Sequence, residues 1–581
     1  MLGSVRLGVV VALLFSTSGC TGGRRHGGQE LVLDPTPLGP PSIVLVLMDD
    51  FSMDLLQTMR NADRMARNGA SFRHSYVVDS LCCVSRASVF TGQYPHQHRV
   101  LTNTANLPNP VGPLGGWRAF RDNGNLRRSV NVNLQRAGYV TGFVGKYLNE
   151  FLPAQGGPPE GQPPGWSEFT AILRSAYDGW DFEYTATDAG SLSVRRLPAP
   201  DPWAADAEKD RAYADRFAGR RAVGFIRRHA SGERPYFLEV ATYAPHERVG
   251  LRGRYDGDPM FPPAFRDRPH PGRSQGNCGA VRCGSLTVAD LPGFRDRAGD
   301  NRPRLGNGEP GPGWRARGPR PRAHDAAEAL RNRARMVQTV DRMLGRILDE
   351  VDANTYVVLT SDNGYHLGPG SLGRGKGTPY DTDVHVPLIV TGPGVLPGTR
   401  DDMVSNIDLA PTFEVLAGLR PPSYRAGQSL VGTLRTPSRA PHDYVFFEHT
   451  WSPSLGGSDP DRWYSGASID AVPSYVAVRS RNALLVRLDL DPSWEGVEVA
   501  WEFYDYRDAP FERTNTFAEP DKQEEVQRLR RRLGVFLSCR STTRDASVTA
   551  RCRSLTRPGP IGSFPHDVAR SPQPKRLRAR Q

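Results

Sequence analysis

Residues 42–50 read SIVLVLMDD, an almost wholly apolar run that ends in two adjacent aspartates. A continuous run of apolar and β-branched residues predicts a strand buried on both faces of a parallel sheet. Asp49 and Asp50 then follow the carboxyl end of that strand. Neighbouring carboxylates in such a place are costly unless they are paired or hold a cation. They are therefore candidates for a binding site, and a solvated turn is the alternative.

The same arrangement, a strand followed by polar side chains, recurs three times along the chain. The predicted strands and the polar residues that follow them are 139–144 with Lys146, 236–243 with His246, and 355–360 with Asp362 and Asn363. In open α/β sheets, sites are built at the carboxyl ends of the strands. A helix predicted over 326–351 leads directly into the strand at 355, and this alternation favours a mostly parallel sheet flanked by helices. The fold class is therefore α/β.

Two adjacent cysteines stand in the segment 80–98, SLCCVSRASVFTGQYPHQH. We predict that residues 85–90 form the first turns of a helix with Ser85 as its N-cap. A side chain just before a helix N-terminus faces unpaired N–H groups and a positive dipole end, and Arg86 adds a fixed cation. A cysteine at Cys82 is expected to be reactive there. A buried structural thiol is the alternative.

The chain divides into segments of different texture. Residues 42–439 form the predicted catalytic domain. Residues 440–555 form a smaller predicted α+β subdomain, which contains short strands at 475–479 and 483–489 and a helix at 521–533. Residues 556–581 are basic and contain several prolines, so we expect a disordered tail. The Pro- and Gly-rich stretch 251–322 is too long for an ordinary loop. It is either cover over the site or partly disordered.

The N-terminus has the layout of an exported protein. Residues 1–19 read as a signal peptide, with Arg6 followed by a short apolar run, and residues 20–41 read as a tether. The sequence SGC resembles a lipoprotein box in which Cys20 is lipidated, although Thr17 stands where such boxes usually have an aliphatic residue. Either a membrane-anchored lipoprotein or a secreted protein is expected, and both are extracytoplasmic. The net charge of +12 would suit anionic partners, but background composition explains it better, and we expect no nucleic acid among the partners because no nucleic-acid module is visible.

Export makes disulfides permissible. Cys278 with Cys283, and Cys539 with Cys552, are local pairs in loop-like sequence. A zinc site is the rival, but neither a CxxC motif nor paired histidines accompany these cysteines. We predict two short disulfides.

Five segments in order resemble the type I sulfatases, most closely the branch that contains N-acetylglucosamine-6-sulfatase and related glycan sulfatases. The segments are MDD, CCVSRASVFTGQYPHQH, VGKYLNE, APH and TSDNGYHLG, with Lys376 beyond them. The resemblance runs from residue 42 to about residue 515. It implies an alkaline-phosphatase-like fold and hydrolysis of a sulfate ester of a carbohydrate or an aryl alcohol.

The resemblance also implies a metal and a modified residue. One Ca²⁺, or alternatively Mg²⁺, would bind at Cys82 through four oxygen ligands, Asp49, Asp50, Asp362 and Asn363. A formylglycine-generating enzyme would oxidise Cys82 to formylglycine. One hydroxyl of the formylglycine hydrate then attacks sulfur and displaces the alcohol, and the other drives elimination of sulfate.

The remaining predicted catalytic residues are basic. Arg86 and Lys146 would hold the formylglycine hydrate, while Lys376 and His246 would contact the sulfate, and His246 would protonate the leaving oxygen. The alternative is that these four side chains are only ion-pair partners with a structural role.

Two positions depart from the family pattern. Val84 stands where the modification signal usually has proline or alanine, and Leu148 stands where a second histidine is usual, with Asn149 as a substitute. His366, His96 and His98 are expected in packing or supporting roles, and lining the pocket is the alternative. Two alternatives therefore stay open: a phosphonate or phosphodiester hydrolase of the same superfamily, and a catalytically inactive relative that binds glycans.

Overall fold

A computed structural model of the protein describes fourteen segments. They are residues 39–105, 113–152, 161–188, 191–249, 252–265, 277–279, 281–291, 293–294, 301–314, 321–436, 442–450, 472–490, 499–539 and 546–557. The predicted signal peptide, nearly all of the tether and nearly all of the basic tail lie outside these residues.

The described strands fall into two large sheets and two short hairpins. They are β1 (Ser42–Met48), β2 (Ala70–Tyr76), β3 (Val140–Lys146), β4 (Glu168–Ile172), β5 (Phe182–Asp188), β6 (Ser191–Leu197), β7 (Tyr236–Ala241), β8 (Asn277–Cys278), β9 (Val281–Arg282), β10 (Arg304–Leu305), β11 (Thr355–Ser361), β12 (His366–Leu367), β13 (Arg374–Gly375), β14 (Leu388–Thr391), β15 (Gly398–Ser405), β16 (Tyr444–His449), β17 (Ser474–Ser480), β18 (Ala483–Asp489) and β19 (Val499–Asp505). The main sheet has the order β15-β2-β14-β11-β1-β7-β3-β4-β5-β6.

Helices cover both faces of the main sheet and one side of the second sheet. They are α1 (Arg60–Asn68), α2 (Cys82–Thr91), α3 (Pro95–His98), α4 (Gly116–Asp122), α5 (Val130–Arg136), α6 (Asp206–Ala212), α7 (Ala214–His229), α8 (Ala323–Glu350), α9 (Asp381–Val384), α10 (Leu409–Leu416), α11 (Val431–Arg435), α12 (Gln523–Ser538) and α13 (Ala550–Arg553). Within the described part of the chain, none of them is both long and apolar enough to cross a membrane.

The four strands predicted to precede polar site residues are neighbours at the centre of the main sheet. β11, β1, β7 and β3 pair in parallel, and the register sets Met48 opposite Ser361 and Leu47 opposite Ala241. Their carboxyl ends therefore meet at one edge. Farther out, β14 and β5 run antiparallel to their neighbours, so the sheet is mixed around a parallel centre.

Strand β1 shows why the sheet is buried on both faces. Successive side chains of a strand point to opposite faces. Val44 and Val46 pack in the cluster that contains residues of α7 and α8. Ile43 and Leu45 pack in the cluster that contains residues of α2, α5 and α10. Each such side chain contributes roughly 1.5–3 kcal/mol when fully buried, which fixes the strand that carries Asp49 and Asp50.

The C-terminal region forms a smaller antiparallel sheet of order β10-β19-β18-β17-β16. Helix α12 packs against it, and the apolar side chains of both elements share a core. The predicted disulfides Cys278–Cys283 and Cys539–Cys552 are both present. Within the Pro- and Gly-rich stretch, strand β10 pairs with β19 at the edge of this sheet. The boundary at residue 440 stays a prediction.

Candidate active site

The polar residues that follow the central strands surround Cys82. Asp49 and Asp50 follow β1, Lys146 ends β3, and His246 lies in the turn after β7. Asp362 and Asn363 follow β11, and Lys376 follows the hairpin strand β13. All of these side chains are buried. The structure thus brings together every residue that the sequence predicted for the site.

Helix α2 begins three residues earlier than predicted. Its first residue is Cys82, and Leu81 is the N-cap with an extended backbone. Ser85 lies inside the first turn, where its hydroxyl accepts a hydrogen bond from Asn406 Nδ2 (2.9 Å), so the prediction of an N-cap at Ser85 is wrong. The start of the helix is instead fixed by Asp79, whose Oδ1 accepts a hydrogen bond from Leu81 N (2.8 Å). Arg86 follows Cys82 by one turn and lies on the same side of the helix.

The sulfur of Cys82 lies among charged groups. Lys376 Nζ is 2.8 Å from Sγ, and the Oδ1 atoms of Asp49 and Asp50 are 3.5 and 3.9 Å from it. Burial raises the pKa of the Cys82 thiol well above its ordinary value, and it outweighs the opposing effect of Lys146 and Lys376. The pKa of the unmodified thiol is thus raised, whereas a position at a helix N-terminus beside cations would lower it, because desolvation dominates.

Each carboxylate of the site faces a cation. Lys146 Nζ donates to Asp49 Oδ2 and Lys376 Nζ donates to Asp50 Oδ1, each at a distance of 2.5 Å. Arg86 Nε donates to Asp362 Oδ2 (2.8 Å), and its Nη1 donates to the carbonyl of Lys146 (2.6 Å). Burial would raise the pKa of Asp49, but Lys146 and the other nearby cations hold it well below its usual range.

The oxygen atoms of the site fit a hard divalent cation. Asn363 Nδ2 donates to Asp50 Oδ1 (2.6 Å), and Asp50 N donates to Asp362 Oδ1 (3.3 Å). Asp50 Oδ2 and Asn363 Oδ1 are buried without a hydrogen-bond partner in the described structure. Burial and the charge of Asp49 raise the pKa of Asp362 to about 6. Crowded carboxylates with open oxygens are the ligands that Ca²⁺ and Mg²⁺ prefer.

His246 lies beside the aspartates and Cys82. One ligand atom from each of Asp49, Asp50, Cys82 and His246 lies within 4.8 Å of the others. His246 Nδ1 is 2.6 Å from the carbonyl of Glu247, so this nitrogen carries a proton and donates it. The other nitrogen, Nε2, is 3.5 Å from Asp50 Oδ2 and faces the site.

Two residues of the site were missed by the sequence reasoning. The ring of Tyr177 lies 4.6 Å from the ring of His246 and 5.1 Å from Lys146 Nζ, and no sequence pattern around Tyr177 indicated this. Buried Arg333 donates to the carbonyl of Asp50, a residue held at φ 59° in the left-handed region. Arg333 could have been found, because it interrupts the apolar stripe of α8.

His366, His96 and His98 each contact a protein group through one ring nitrogen. His366 Nδ1 is 2.8 Å from Asp383 Oδ1, His96 Nδ1 is 2.7 Å from Glu448 Oε1, and His98 Nε2 is 3.0 Å from Ser88 Oγ. Leu148 packs in the apolar core.

The sequence profile of the Sulfatase family matches residues 41–419. The chain belongs to the sulfatase family. Among curated sulfatases, it is 30% identical to the extracellular sulfatase SULF-1 homolog of Drosophila melanogaster, over 69% of this chain and 32% of that protein. It is 28% identical to human N-acetylglucosamine-6-sulfatase, over 65% of this chain and 61% of that protein. The chain thus spans only a third to three fifths of the length of these relatives.

Solved structures share the fold. One is a protein in complex with its substrate D-glucosamine-2-N,6-O-disulfate, which matches 86% of this chain and 98% of its own with a TM-score of 0.57 at 19% identity. Another is the phosphonate monoester hydrolase of Silicibacter pomeroyi, which matches 88% of this chain and 98% of its own with a TM-score of 0.57 at 19% identity. These likenesses confirm the predicted alkaline-phosphatase-like architecture.

Proposed function

We propose that this member of the sulfatase family hydrolyses sulfate esters of carbohydrates, using formylglycine made from Cys82 and a bound Ca²⁺, with Mg²⁺ as the alternative ion. The observation that carries the proposal is the surrounding of Cys82 Sγ by Lys376, Asp49 and Asp50 within 3.9 Å. The names of the relatives and the sugar disulfate bound by a structural neighbour support a sulfated glycan as the substrate.

The proposed metal ligands are the four oxygen donors Asp49, Asp50, Asp362 and Asn363, with residue 82 beside them. A bound divalent ion would offset the negative charge of the sulfate ester, and formylglycine would supply the nucleophilic hydroxyl. The open oxygens of Asp50 and Asn363 support this assignment.

The basic residues then have separate tasks. Lys146 and Arg86 hold residue 82 in place, since Arg86 is itself fixed by Asp362 and by the carbonyl of Lys146. Lys376 Nζ lies 2.8 Å from Sγ, so it would contact the transferred group and stabilise its charge. His246 would protonate the leaving oxygen through Nε2, because Nδ1 is committed to the carbonyl of Glu247.

We also propose an extracytoplasmic location with Cys20 as a lipid anchor. The support is the layout of residues 1–20, the two disulfides and the extracellular relatives. The intact mass of the exported protein would test this. Lipidation adds mass that a Cys20→Ser variant loses, and cleavage without added mass indicates plain secretion.

The function is tested by sulfate release from N-acetylglucosamine 6-sulfate and from 4-nitrophenyl sulfate. Cys82→Ala should lose activity by at least about 10⁴-fold, as expected for a nucleophile. Cys83→Ala is the matched control, because Cys83 is an adjacent buried free cysteine that packs in the core. Unchanged activity in Cys82→Ala would show that the assigned nucleophile is wrong.

Two measurements separate the alternatives. A kcat/KM higher for a phenyl phosphonate ester than for 4-nitrophenyl sulfate would make the chain a phosphonate hydrolase, as in the structural neighbour. A mass spectrum of the Cys82 peptide reports conversion directly, because formylglycine is lighter than cysteine. An unmodified thiol together with glycan binding and no hydrolysis would identify an inactive relative. Val84 is the reason for this alternative, because the modification signal usually has proline or alanine at this position.

A further inference from the structure

The segment that carries Lys376 has little conformational restraint of its own. Lys376 lies between Gly375 and Gly377, whose φ angles of 149° and 100° are adopted more readily by glycine than by other residues. The Lys376 ammonium nevertheless lies 2.8 Å from Cys82 Sγ, and the side chain is buried. A long side chain on a glycine-flanked backbone keeps such a distance only if contacts outside the segment hold that backbone in place.

Those contacts converge on one fully buried carboxylate, that of Asp383. Its Oδ2 accepts two hydrogen bonds from Thr378, one from the backbone N (3.0 Å) and one from Oγ1 (2.6 Å). Thr378 follows Lys376 by two residues. From another side, His366 Nδ1 lies 2.8 and 3.0 Å from Oδ1 and Oδ2, so this nitrogen donates. Hydrogen bonds to a carboxylate are stronger than those between neutral groups, so this arrangement is well fixed.

His366 connects the carboxylate to the strand that precedes Lys376. His366 lies in β12, directly opposite Gly375 in β13. The backbone carbonyl of Asp383 also accepts a hydrogen bond from Gly364 N (2.7 Å), in the segment that follows β11 and carries two of the proposed metal ligands. Asp383 therefore holds both sides of the Lys376 segment against the chain that leaves β11.

Thr378 connects this arrangement to residue 82. Its carbonyl accepts a hydrogen bond from Ser80 Oγ (3.0 Å), and Ser80 precedes Cys82 by two residues. Ser80, Thr378 and Asp383 are all buried. Because Thr378 is held at its N–H, its hydroxyl and its carbonyl, these hydrogen bonds fix the Lys376 segment relative to the start of α2.

We propose that Asp383 is a positioning residue for sulfate ester hydrolysis, an inference that rests on the proposed function. In this role Asp383 acts through Lys376, because it holds Nζ next to residue 82, where the charge of the transferred group develops. Such stabilisation depends on donors that are held in place in advance, and a displacement of about 1 Å can lower a rate about 10²-fold. Loss of the Asp383 carboxylate should therefore slow hydrolysis although Lys376 itself is retained.

The first test is Asp383→Ala, which removes both acceptor oxygens and so releases Thr378 and His366. The measurement is kcat/KM per folded molecule, for whichever of 4-nitrophenyl sulfate and N-acetylglucosamine 6-sulfate the wild type hydrolyses. We expect a loss of about 10²-fold. The matched control is Asp341→Ala. Asp341 is also a buried carboxylate with both oxygens hydrogen-bonded, in its case to the start of α1. Its loss should lower the Tm and leave kcat/KM of the folded protein unchanged.

A second pair of variants tests the inference even if Asp383→Ala does not fold. Thr378→Val retains the side-chain shape but removes the hydroxyl that donates to Asp383, whereas Thr378→Ser retains a hydroxyl. We expect kcat/KM to fall about tenfold in Thr378→Val and to stay within about twofold of the wild type in Thr378→Ser. A contact that only stabilises the fold would lower the Tm of Thr378→Val without this difference in rate.

A double-mutant cycle shows whether the effect passes through Lys376. In a Lys376→Ala background, Asp383→Ala should cause a further loss of less than about twofold, because the group that it positions is gone. Equal losses from Asp383→Ala with and without Lys376 would overturn the inference, as would normal kcat/KM in Thr378→Val and in folded Asp383→Ala. A wild-type protein that hydrolyses neither substrate would instead refute the proposed function itself.

Discussion

Two buried arginine–carboxylate pairs in this molecule differ in how completely they are satisfied. Arg425 binds both oxygens of Glu414, with Nη2 2.6 Å from Oε1, and its Nη1 donates to the carbonyls of Thr91 and Arg128. Arg86 binds Asp362 and the carbonyl of Lys146, but its Nη2 is buried without a hydrogen-bond partner in the described structure. Asp50 and Asn363 leave oxygens open beside it. The first pair is fully hydrogen-bonded, whereas the second leaves buried polar atoms without a hydrogen-bond partner in the described structure.

The largest effect that follows from this difference is expected at Arg86. Arg86→Lys retains the charge but cannot contact Asp362 and the Lys146 carbonyl in the same fork geometry. We expect kcat/KM for 4-nitrophenyl sulfate to fall about 10³-fold, or ~4 kcal/mol of transition-state stabilisation, with a smaller change in the free energy of unfolding. A large loss of stability with normal activity per folded molecule would instead make Arg86 a structural residue like Arg425.

The same substitution at Arg425 should give the opposite result. Arg425→Lys leaves the carbonyls of Thr91 and Arg128 short of donors in a dry interior, so the free energy of unfolding should fall by about 3 kcal/mol. Denaturant unfolding measures this loss. The kcat/KM of the folded fraction should be unchanged, and a selective loss of activity would remove the distinction between the two pairs.

Removal of divalent cations should lower the stability of the site around Arg86 and Asp362 and should leave the Arg425–Glu414 pair unaffected. If the oxygens around Cys82 hold Ca²⁺, adding the ion at 100 times its Kd should stabilise the metal-free protein by about 2.7 kcal/mol. The measurement is the unfolding midpoint of the chelator-treated protein with and without Ca²⁺ or Mg²⁺. Asp50→Asn should abolish this stabilisation, while Arg425→Lys should retain it. An unfolding midpoint that is insensitive to both ions would refute the metal site.

The smallest effect is expected at an exposed pair. Arg73 Nη1 lies 2.6 Å from Asp401 Oδ1, but both side chains are more than 60% exposed. Arg73→Ala should change the free energy of unfolding by less than about 1 kcal/mol, because solvent screens the pair. A loss as large as that at Arg425 would show that distance, rather than burial, governs these interactions.

The sequence was informative where local patterns carry the physics. The apolar run of β1 and its two aspartates predicted both a central strand and its place in the site, since strand ends in a parallel sheet must meet at one edge. The start of α2 could not be predicted in the same way. Ser85 has the composition of an N-cap, but its hydroxyl is taken by Asn406, a residue far away in the chain.

Contacts between distant segments account for the other omissions. Tyr177 contacts His246 and Lys146 only because the fold brings distant segments together, and the short 3-10 helix that carries it has no apolar periodicity. Arg333 is the exception, because a charged residue on an apolar helix stripe already indicates a buried polar partner.

The most direct test of the account measures conversion of Cys82 and sulfate release on the same protein preparations. Samples made with and without a formylglycine-generating enzyme would be compared by the mass of the Cys82 peptide and by kcat for 4-nitrophenyl sulfate. The account predicts that kcat rises in proportion to the fraction of formylglycine and vanishes where the peptide is an unmodified thiol. Full activity with an unmodified thiol, or no activity after complete conversion, would contradict it.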